Sequence, residues 1–552
     1  MNDERAISTE KVNQITKWAP ALILSLALAI IIIDTTLLNV SLGNIIRDLN
    51  TDIQSIQWVI TAYSLTLAAL TITGGRLGDL FGRKRMFVLG AVIFAIGSFI
   101  ASASSSVGMM ITGESIIEGI GAALMMPATS SLLISTYKGK DRAIAMGMWG
   151  GIAAASSAVG PILGGFLATN YSWRWGFRIN IFVAAILVIG SFLVKEYRDR
   201  EEKPNLDFGG IILSSVGLLS LVFGVIESST YGWWRAKETF IAFGHNLNFG
   251  SLSVVPIALL LGIILLTLFV IWELRVAKTD NTPLVSMDIF KNNQFTSGVL
   301  TTTLMSIGQA GLIFSLPVFY QAVRGLDSYH TGLAFLPMSI SALIFAPLGA
   351  ILGRKIAPKR IIQFGLASGT LGLIIIRSKF GIDANTSDFF IGMVLYGIGL
   401  GSTMAQLSNM TLSAVSTEEA GEASGVNNTL RQIGSTFGSA IIGAALLTAI
   451  STNVISGINN STVIPASLKP QIVSAMSSQT SNIEFGGGAQ MGQKTPEYIT
   501  QELATISKQA TVDSNKLAAL YAIIFMLIGL IASGWLTSSK NLERNQSAAK
   551  GH

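Results

Sequence analysis

Three acidic residues stand where hydrocarbon would be expected. Asp34, Glu114 and Glu118 each lie inside a run of apolar residues long enough to cross a bilayer. A charged side chain there costs at least about 2.5 to 3.5 kcal/mol, so it turns toward a cavity or a partner rather than toward lipid. At about 1.5 Å per residue along helices running in opposite directions, Asp34 and Glu114 come to a similar depth, roughly 10 Å below one boundary, where they can share a cavity. Glu114 and Glu118 are four apart and so one turn apart on one helix face. Their mutual repulsion in low dielectric favours a proton on at least one of them, which suits proton carriage or the attraction of a cation. Arg178 and Arg431 are the intramembrane cations that would answer these charges, as functional partners or as plain structural ion pairs.

Other chemistries find little support. There is no cysteine, which excludes disulfides, thiolate metal sites and cysteine nucleophiles. The three histidines, His245, His330 and His552, fall in expected loops or at the terminus, so neither a nucleophile–base pair nor a metal site is expected. Gly486 to Thr495 reads GGGAQMGQKT and superficially resembles a phosphate loop. Gln493 occupies the position where lysine should follow the glycine, and no strand precedes it, so ATP binding is not expected. The net charge of +6 comes from bases in short loops between apolar runs, not from a basic domain, so lipid headgroups rather than nucleic acid are the expected partner. No enzyme, cofactor or metal is implied.

The elements that must carry the acids follow from hydropathy. With 50% hydrophobic and 12% charged residues in 552, the chain has too little polar surface to cover a water-soluble globule of that size. Its 56 glycines suit closely packed membrane helices. Apolar segments recur near 18–41, 56–75, 86–105, 109–134, 143–167, 177–195, 208–227, 254–272, 295–320, 331–353, 361–377, 389–413, 424–450 and 517–538. Irregular backbone cannot be satisfied in hydrocarbon, so the expected fold is an all-α integral membrane protein with about fourteen transmembrane helices. The first run, from about Trp18 to Val40, lacks a cleavage pattern behind it and reads as a mature first helix.

Orientation follows from the short loops. Alternate loops collect about 18 Lys and Arg, including Arg76, Lys138, Lys195, Arg275 and Lys355, against about seven in the opposite set. The richer set is expected to be cytoplasmic, with both termini inside and the chain in the plasma membrane. Residues 451–515 are rich in Ser, Thr, Asn and Gln and are expected to form a polar external excursion, mostly loop.

The second and third spans are joined by Gly75-Arg76-Leu77-Gly78-Asp79-Leu80-Phe81-Gly82-Arg83-Lys84-Arg85, and a weaker echo, Gly349 to Arg360, joins the tenth and eleventh. The echo implies two six-helix halves, 1–196 and 295–552, with a segment 197–294 between them that carries cytoplasmic linkers and an inserted helix pair. Glu418, Glu419 and Glu422, before the thirteenth span, break the positive-inside pattern. Acids there could close a latch on Arg83, Lys84 and Arg85, one that would weaken with salt.

With these motifs the chain resembles the major facilitator superfamily, in particular its fourteen-helix branch of drug:proton antiporters, from the first helix to the last. Four features carry the resemblance: the loop motif just quoted, Gly160-Pro161-Ile162-Leu163-Gly164-Gly165, the stretch Asp34 to Val40, and Trp173-Arg174-Trp175 with Asn180. Phe319 to Gln321 and Gly332 to Pro337 add to it. The resemblance implies that Asp79 and Arg83 join a conformational latch, that Gly160, Pro161, Gly164 and Gly165 form the antiporter motif, and that protons drive out lipophilic, often cationic, small molecules. The branch usually carries R-x-x-x-Q-G-x-G in its fourth helix; this chain has Glu114-Ser115-Ile116-Ile117-Glu118-Gly119-Ile120-Gly121, so that arginine is absent, while Arg178 enters a tract that is usually apolar. A metabolite or organic-ion carrier of the same fold is the alternative.

Overall fold

The computed structural model describes residues 2–51, 53–197, 207–242, 245–247, 249–279, 283–353, 355–416, 419–479 and 496–536. Its long helices are α1 (Asn2–Asp48), α2 (Ile53–Phe81), α3 (Arg83–Ser102), α4 (Val107–Thr136), α5 (Gly139–Asn170), α6 (Arg174–Gly190), α7 (Phe208–Ile226), α8 (Val254–Val276), α9 (Asn293–Ala322), α10 (Leu336–Leu352), α11 (Pro358–Lys379), α12 (Phe390–Leu412), α13 (Ala420–Asn460) and α14 (Glu497–Ala532). Among the described residues, twelve of these are long and apolar enough to cross a membrane. The remaining two fall short of the fourteen spans expected. In α5 the apolar sequence is broken into Ile144–Ala153 and Val159–Ala168, and α10 has only 17 residues. A short antiparallel pair of strands, Phe240–Ala242 and His245–Leu247, adds the only sheet among the described residues, between α7 and α8.

The outer surface of the bundle exposes many large apolar side chains. Ile189, Phe192, Phe182 and Ile531 are exposed, and α8 presents Leu260, Leu261, Ile263, Ile264 and Leu268 outward. Such a surface is stable only against lipid. Inside, one apolar cluster draws on α9 to α14, with a nest of Phe319, Tyr320, Phe380 and Phe389 whose ring centroids lie 4.9 to 5.6 Å apart. A second cluster joins α1 to α6 with parts of α7 and α8, and takes in Leu412, Ala420, Ala423 and Val426 from the other side. The two sets of helices therefore meet where α13 crosses α2 and α4 and where α12 crosses α5.

The polar stretch 451–515 departs from the expected loop. Residues 451–460 continue α13, 469–479 form a further helix, and α14 already begins at Glu497; the GGGAQMGQKT tract lies outside the described residues. Ile450, Val454 and Ile458 on α13 and Ile499 and Leu503 on α14 are buried at helical spacing, and Ser461 Oγ donates to Glu502 Oε1 at 2.7 Å. A narrow apolar stripe among Ser, Thr and Asn carries these helices beyond the hydrophobic segments.

Candidate functional site

Asp34 on α1 and Glu114 and Glu118 on α4 converge. They are 1%, 0% and 0% exposed, and one carboxylate oxygen from each lies within 4.8 Å of the other two. Asn180 on α6 bridges the group, its Nδ2 donating to Asp34 Oδ1 at 2.6 Å and to Glu118 Oε1 at 3.0 Å. Asp34 Oδ2 and both oxygens of Glu114 are buried and, among the described residues, have only the other acids of the cluster beside them as hydrogen-bond partners. Two hydroxyls border the same space: Tyr63 on α2, beside all three acids and without a hydrogen-bond partner among the described residues, and Ser98 on α3, beside Glu118.

Magnitudes decide what this arrangement can hold. At an effective dielectric of about 20, two negative charges 4.8 Å apart repel by about 3.5 kcal/mol, so three full charges would store about 10 kcal/mol before any desolvation. That rivals the whole stability of a typical domain, about 5 to 15 kcal/mol. The group is thus stable only with protons or a cation in it.

Among the described residues no arginine supplies that charge. Arg178 is exposed, its guanidinium 5.2 Å above the Trp175 ring, and Arg431 is half-buried with Nη2 3.8 Å from Met126 Sδ. Among the described residues no carboxylate pairs with either one. The expectation that they answer the acids is corrected here: position 178 turns away from position 180 by the helical step between them.

The helices that carry the acids are seated by the motifs read from sequence. Gly160 and Gly164 of α5 take the α1 side chains next to Asp34: a Cβ on Gly160 would stand 1.7 Å from Thr36 Oγ1, and one on Gly164 2.9 Å from Leu37 Cγ. Gly165 is buried beside them, and Pro161 lies inside a continuous α5. At the far end of α1, Trp173 Nε1 donates to Asp48 Oδ2 at 2.9 Å, Arg174 pairs with the same oxygen, and Arg174 Nη2 donates to Ser104 O at 2.9 Å. Residues Ile111–Glu118 of α4 are π-helical, so the acids are not on the ordinary α-helical face that their spacing suggests. Ser115 Oγ anchors that segment to Val59 O at 2.6 Å.

The second candidate constellation lies at the end of the bundle that carries the basic turns. Gly82, at φ 110°, ends α2 and lets α3 begin at once. Arg83 folds back on Asp79, with Nε and Nη2 at 2.9 and 2.8 Å from Oδ1; the pair is almost fully buried, and the guanidinium lies 4.7 Å from the Tyr197 ring centroid. Asp79 Oδ2 accepts the backbone N–H of Glu422 at 2.9 Å, in the first turn of α13, where helix N–H groups are otherwise unsatisfied. This approach requires bare backbone. A Cβ on Gly75 would stand 2.5 Å from Gly421 O, and one on Gly421 would stand 2.1 Å from Asp79 Oδ1.

The expected pairing of the basic turn with the glutamates is therefore corrected. Lys84 N donates to Glu196 Oε1 at 3.0 Å and Arg85 Nε lies 3.9 Å from Glu196 Oε2. Glu419 accepts from Ser416 Oγ at 2.9 Å, and Glu422 turns its carboxylate to the backbone N–H of Ser286. Glu418 lies outside the described residues. Buried Arg76 adds positive charge beside both Asp79 and Glu422. Sequence reasoning located Asp79 and Glu422 but not their bond, because a backbone donor has no side-chain signature. It also passed over Tyr63, Ser98 and Asp48, which look ordinary in sequence.

A lipid-facing helical bundle that encloses an acidic, polar cluster, with two packed sets of helices tied together at one end, is the architecture of a multi-pass membrane transporter. The comparisons agree. The profile of the Major Facilitator Superfamily matches residues 24–439, and the chain belongs to that family. It is 27% identical over 439 residues to a tetracenomycin C resistance and export protein of Streptomyces glaucescens, covering 78% of this chain and 76% of that one. It is 28% identical over 516 residues to the multidrug efflux pump LfrA of Mycolicibacterium smegmatis, covering 93% and 94%. Among solved structures, the proton:xylose symporter XylE superposes with a TM-score of 0.53 at 12% identity, over 92% of this chain and 95% of that one, a likeness of fold alone.

Proposed function

We propose that this chain is a secondary exporter that uses the inward proton gradient to drive lipophilic, cationic small molecules out across the plasma membrane. The observation that carries the reading is the cluster of Asp34, Glu114 and Glu118, buried without a basic partner among the described residues. A site that must be neutralised to exist takes up protons from one side. When it releases them to the other, it leaves negative charge that favours a cation nearby. The export named for the two relatives above supports the outward direction. The basic turns face the cytoplasm under the positive-inside rule, which puts both termini inside. The two six-helix halves, 1–196 and 295–552, alternate about the site, with α7 and α8 as the inserted pair.

The test is export of a fluorescent lipophilic cation from cells or everted vesicles, with and without an uncoupler. Expression should lower dye retention only while the proton gradient stands, and Asp34→Asn should abolish that effect at unchanged expression. Efflux that persists with the uncoupler, or undiminished export by Asp34→Asn, would sink the assignment.

A further inference from the structure

The acid cluster offers more than a place for protons. Around it stand the oxygens Asp34 Oδ2, the two of Glu114 and Glu118 Oε2, the hydroxyl of Tyr63, which is 2% exposed and has no hydrogen-bond partner among the described residues, and that of Ser98, which is 0% exposed and lies beside Glu118. A buried, unpartnered tyrosine hydroxyl beside Glu114, neither of whose oxygens meets a donor outside the acid cluster, is a cost that the described residues leave unmet. An ion ligated by all of them would satisfy every one. One oxygen each from Asp34, Glu114 and Glu118 within 4.8 Å of one another suits it, because bonds of about 2.3 to 2.6 Å place oxygens on opposite sides of an ion at most about 4.6 to 5.2 Å apart. The same spacing leaves no room for a bulky organic cation between the carboxylates.

We infer that Asp34, Glu114 and Glu118, with Tyr63 and Ser98, form a site for a hard divalent cation of calcium-like size. The donor set selects within that class. No nitrogen or sulfur ligand is present in the cluster, which disfavours zinc and copper. Magnesium needs shorter bonds of about 2.0 to 2.1 Å in a near-ideal octahedron and gives up its water reluctantly, whereas a calcium-like ion accepts irregular oxygen cages. A divalent ion leaves one negative charge for a single proton to neutralise, and a monovalent ion leaves two. The inference rests on reading the cluster as the coupling site and adds a ligand that reading does not contain: the metal displaces all but one of the protons there.

The experiment uses the full chain in lipid nanodiscs at mildly alkaline pH, with Mn²⁺ as an oxygen-seeking paramagnetic probe read by electron paramagnetic resonance. One Mn²⁺ should bind saturably per chain, Ca²⁺ should displace it, and equal Na⁺ or Mg²⁺ should not. Glu114→Gln and Glu118→Gln should each weaken binding tenfold or more, and the exposed Glu497→Gln should not. Tyr63→Phe, which removes only a hydroxyl, should weaken it measurably and keeps the test valid if a carboxyl variant fails to fold. The absence of saturable binding, or binding that survives in a Glu114→Gln, Glu118→Gln double variant, overturns the inference, as does equal displacement by Mg²⁺. The dye assay run with a metal chelator separates the two readings. Uncoupler-sensitive export with no Mn²⁺ binding removes the metal site alone, whereas Mn²⁺ binding without dye export removes the drug-export reading alone.

Discussion

Asn180 joins the acids more directly than their own spacing does. One amide nitrogen donates to carboxylates on two different helices, at 2.6 and 3.0 Å, and so fixes α1 against α4. Hydrogen bonds to charged acceptors are worth about 1.5 to 3 kcal/mol each, so losing them should be felt as about a tenfold or larger effect. Asn180→Leu is expected to slow export by at least that factor, and Asn180→Gln, which keeps the donor, to recover part of it. Wild-type initial rates of dye efflux from Asn180→Leu, at equal expression, would show that the bridge is incidental. Arg178, two residues away, is expected to tolerate Ala with little loss in the same assay, since it touches Trp175 and none of the acids.

Among the elements, the end of α1 shows how a short motif does its work. Asp48 lies beyond the hydrophobic segment and is about half exposed. Arg174, and after it Trp173, hold its carboxyl below its ordinary value of 3.8. A depressed acid contributes stability that is present above the unfolded-state value and is lost as pH falls through the lowered folded-state one. The melting midpoint of the wild type should therefore exceed that of Asp48→Asn by a constant, small margin at neutral pH, and the margin should close only in strong acid, below 3.8. A margin that changes between pH 5 and pH 8 would assign the effect to another group. The π-helical turn in α4 is the other element that matters, since such turns re-aim side chains where an ordinary helix would leave them a step out of place.

For the whole molecule, the decisive contact is between α2 and α13. Asp79 takes a backbone N–H from Glu422, and the Glu419 and Glu422 carboxylates face Ser416 and Ser286. Asp79→Ala should open that end, read as faster labelling of cysteines introduced beside the turn, while Glu422→Gln should leave labelling near wild type because it keeps the backbone N–H and an acceptor for Ser286. The reverse result would restore a latch made by the glutamates. Salt gives an independent check. The Asp79 and Arg83 side chains are 3% and 1% exposed, and buried pairs are screened little, so labelling should stay constant as ionic strength rises. Strong salt dependence would mean that exposed charges carry the closure. Gly421→Val should open the end more fully than either change, since its Cβ would collide with Asp79.

What the sequence determined by itself is what the solvent dictates. Hydrocarbon leaves a chain one local way to satisfy its backbone, so apolar run length announced the helices, and the expense of burying charge marked Asp34, Glu114 and Glu118 before any fold was known. It faltered in the amphipathic extensions of α13 and α14, whereas α5 and α10 stand where expected but are less apolar, because a helix buried against other helices tolerates Gly, Ser and Thr that lipid would not reward. The tertiary structure alone decided which charges meet. Spacing along one helix orders the faces of that helix only, and how it is rotated against its neighbours depends on packing such as Gly160 on Thr36. That packing turned Arg178 outward, brought Asn180, Tyr63 and Ser98 to the acids, and gave Asp79 a backbone partner from a helix more than 300 residues away, which no pattern of side chains could have announced.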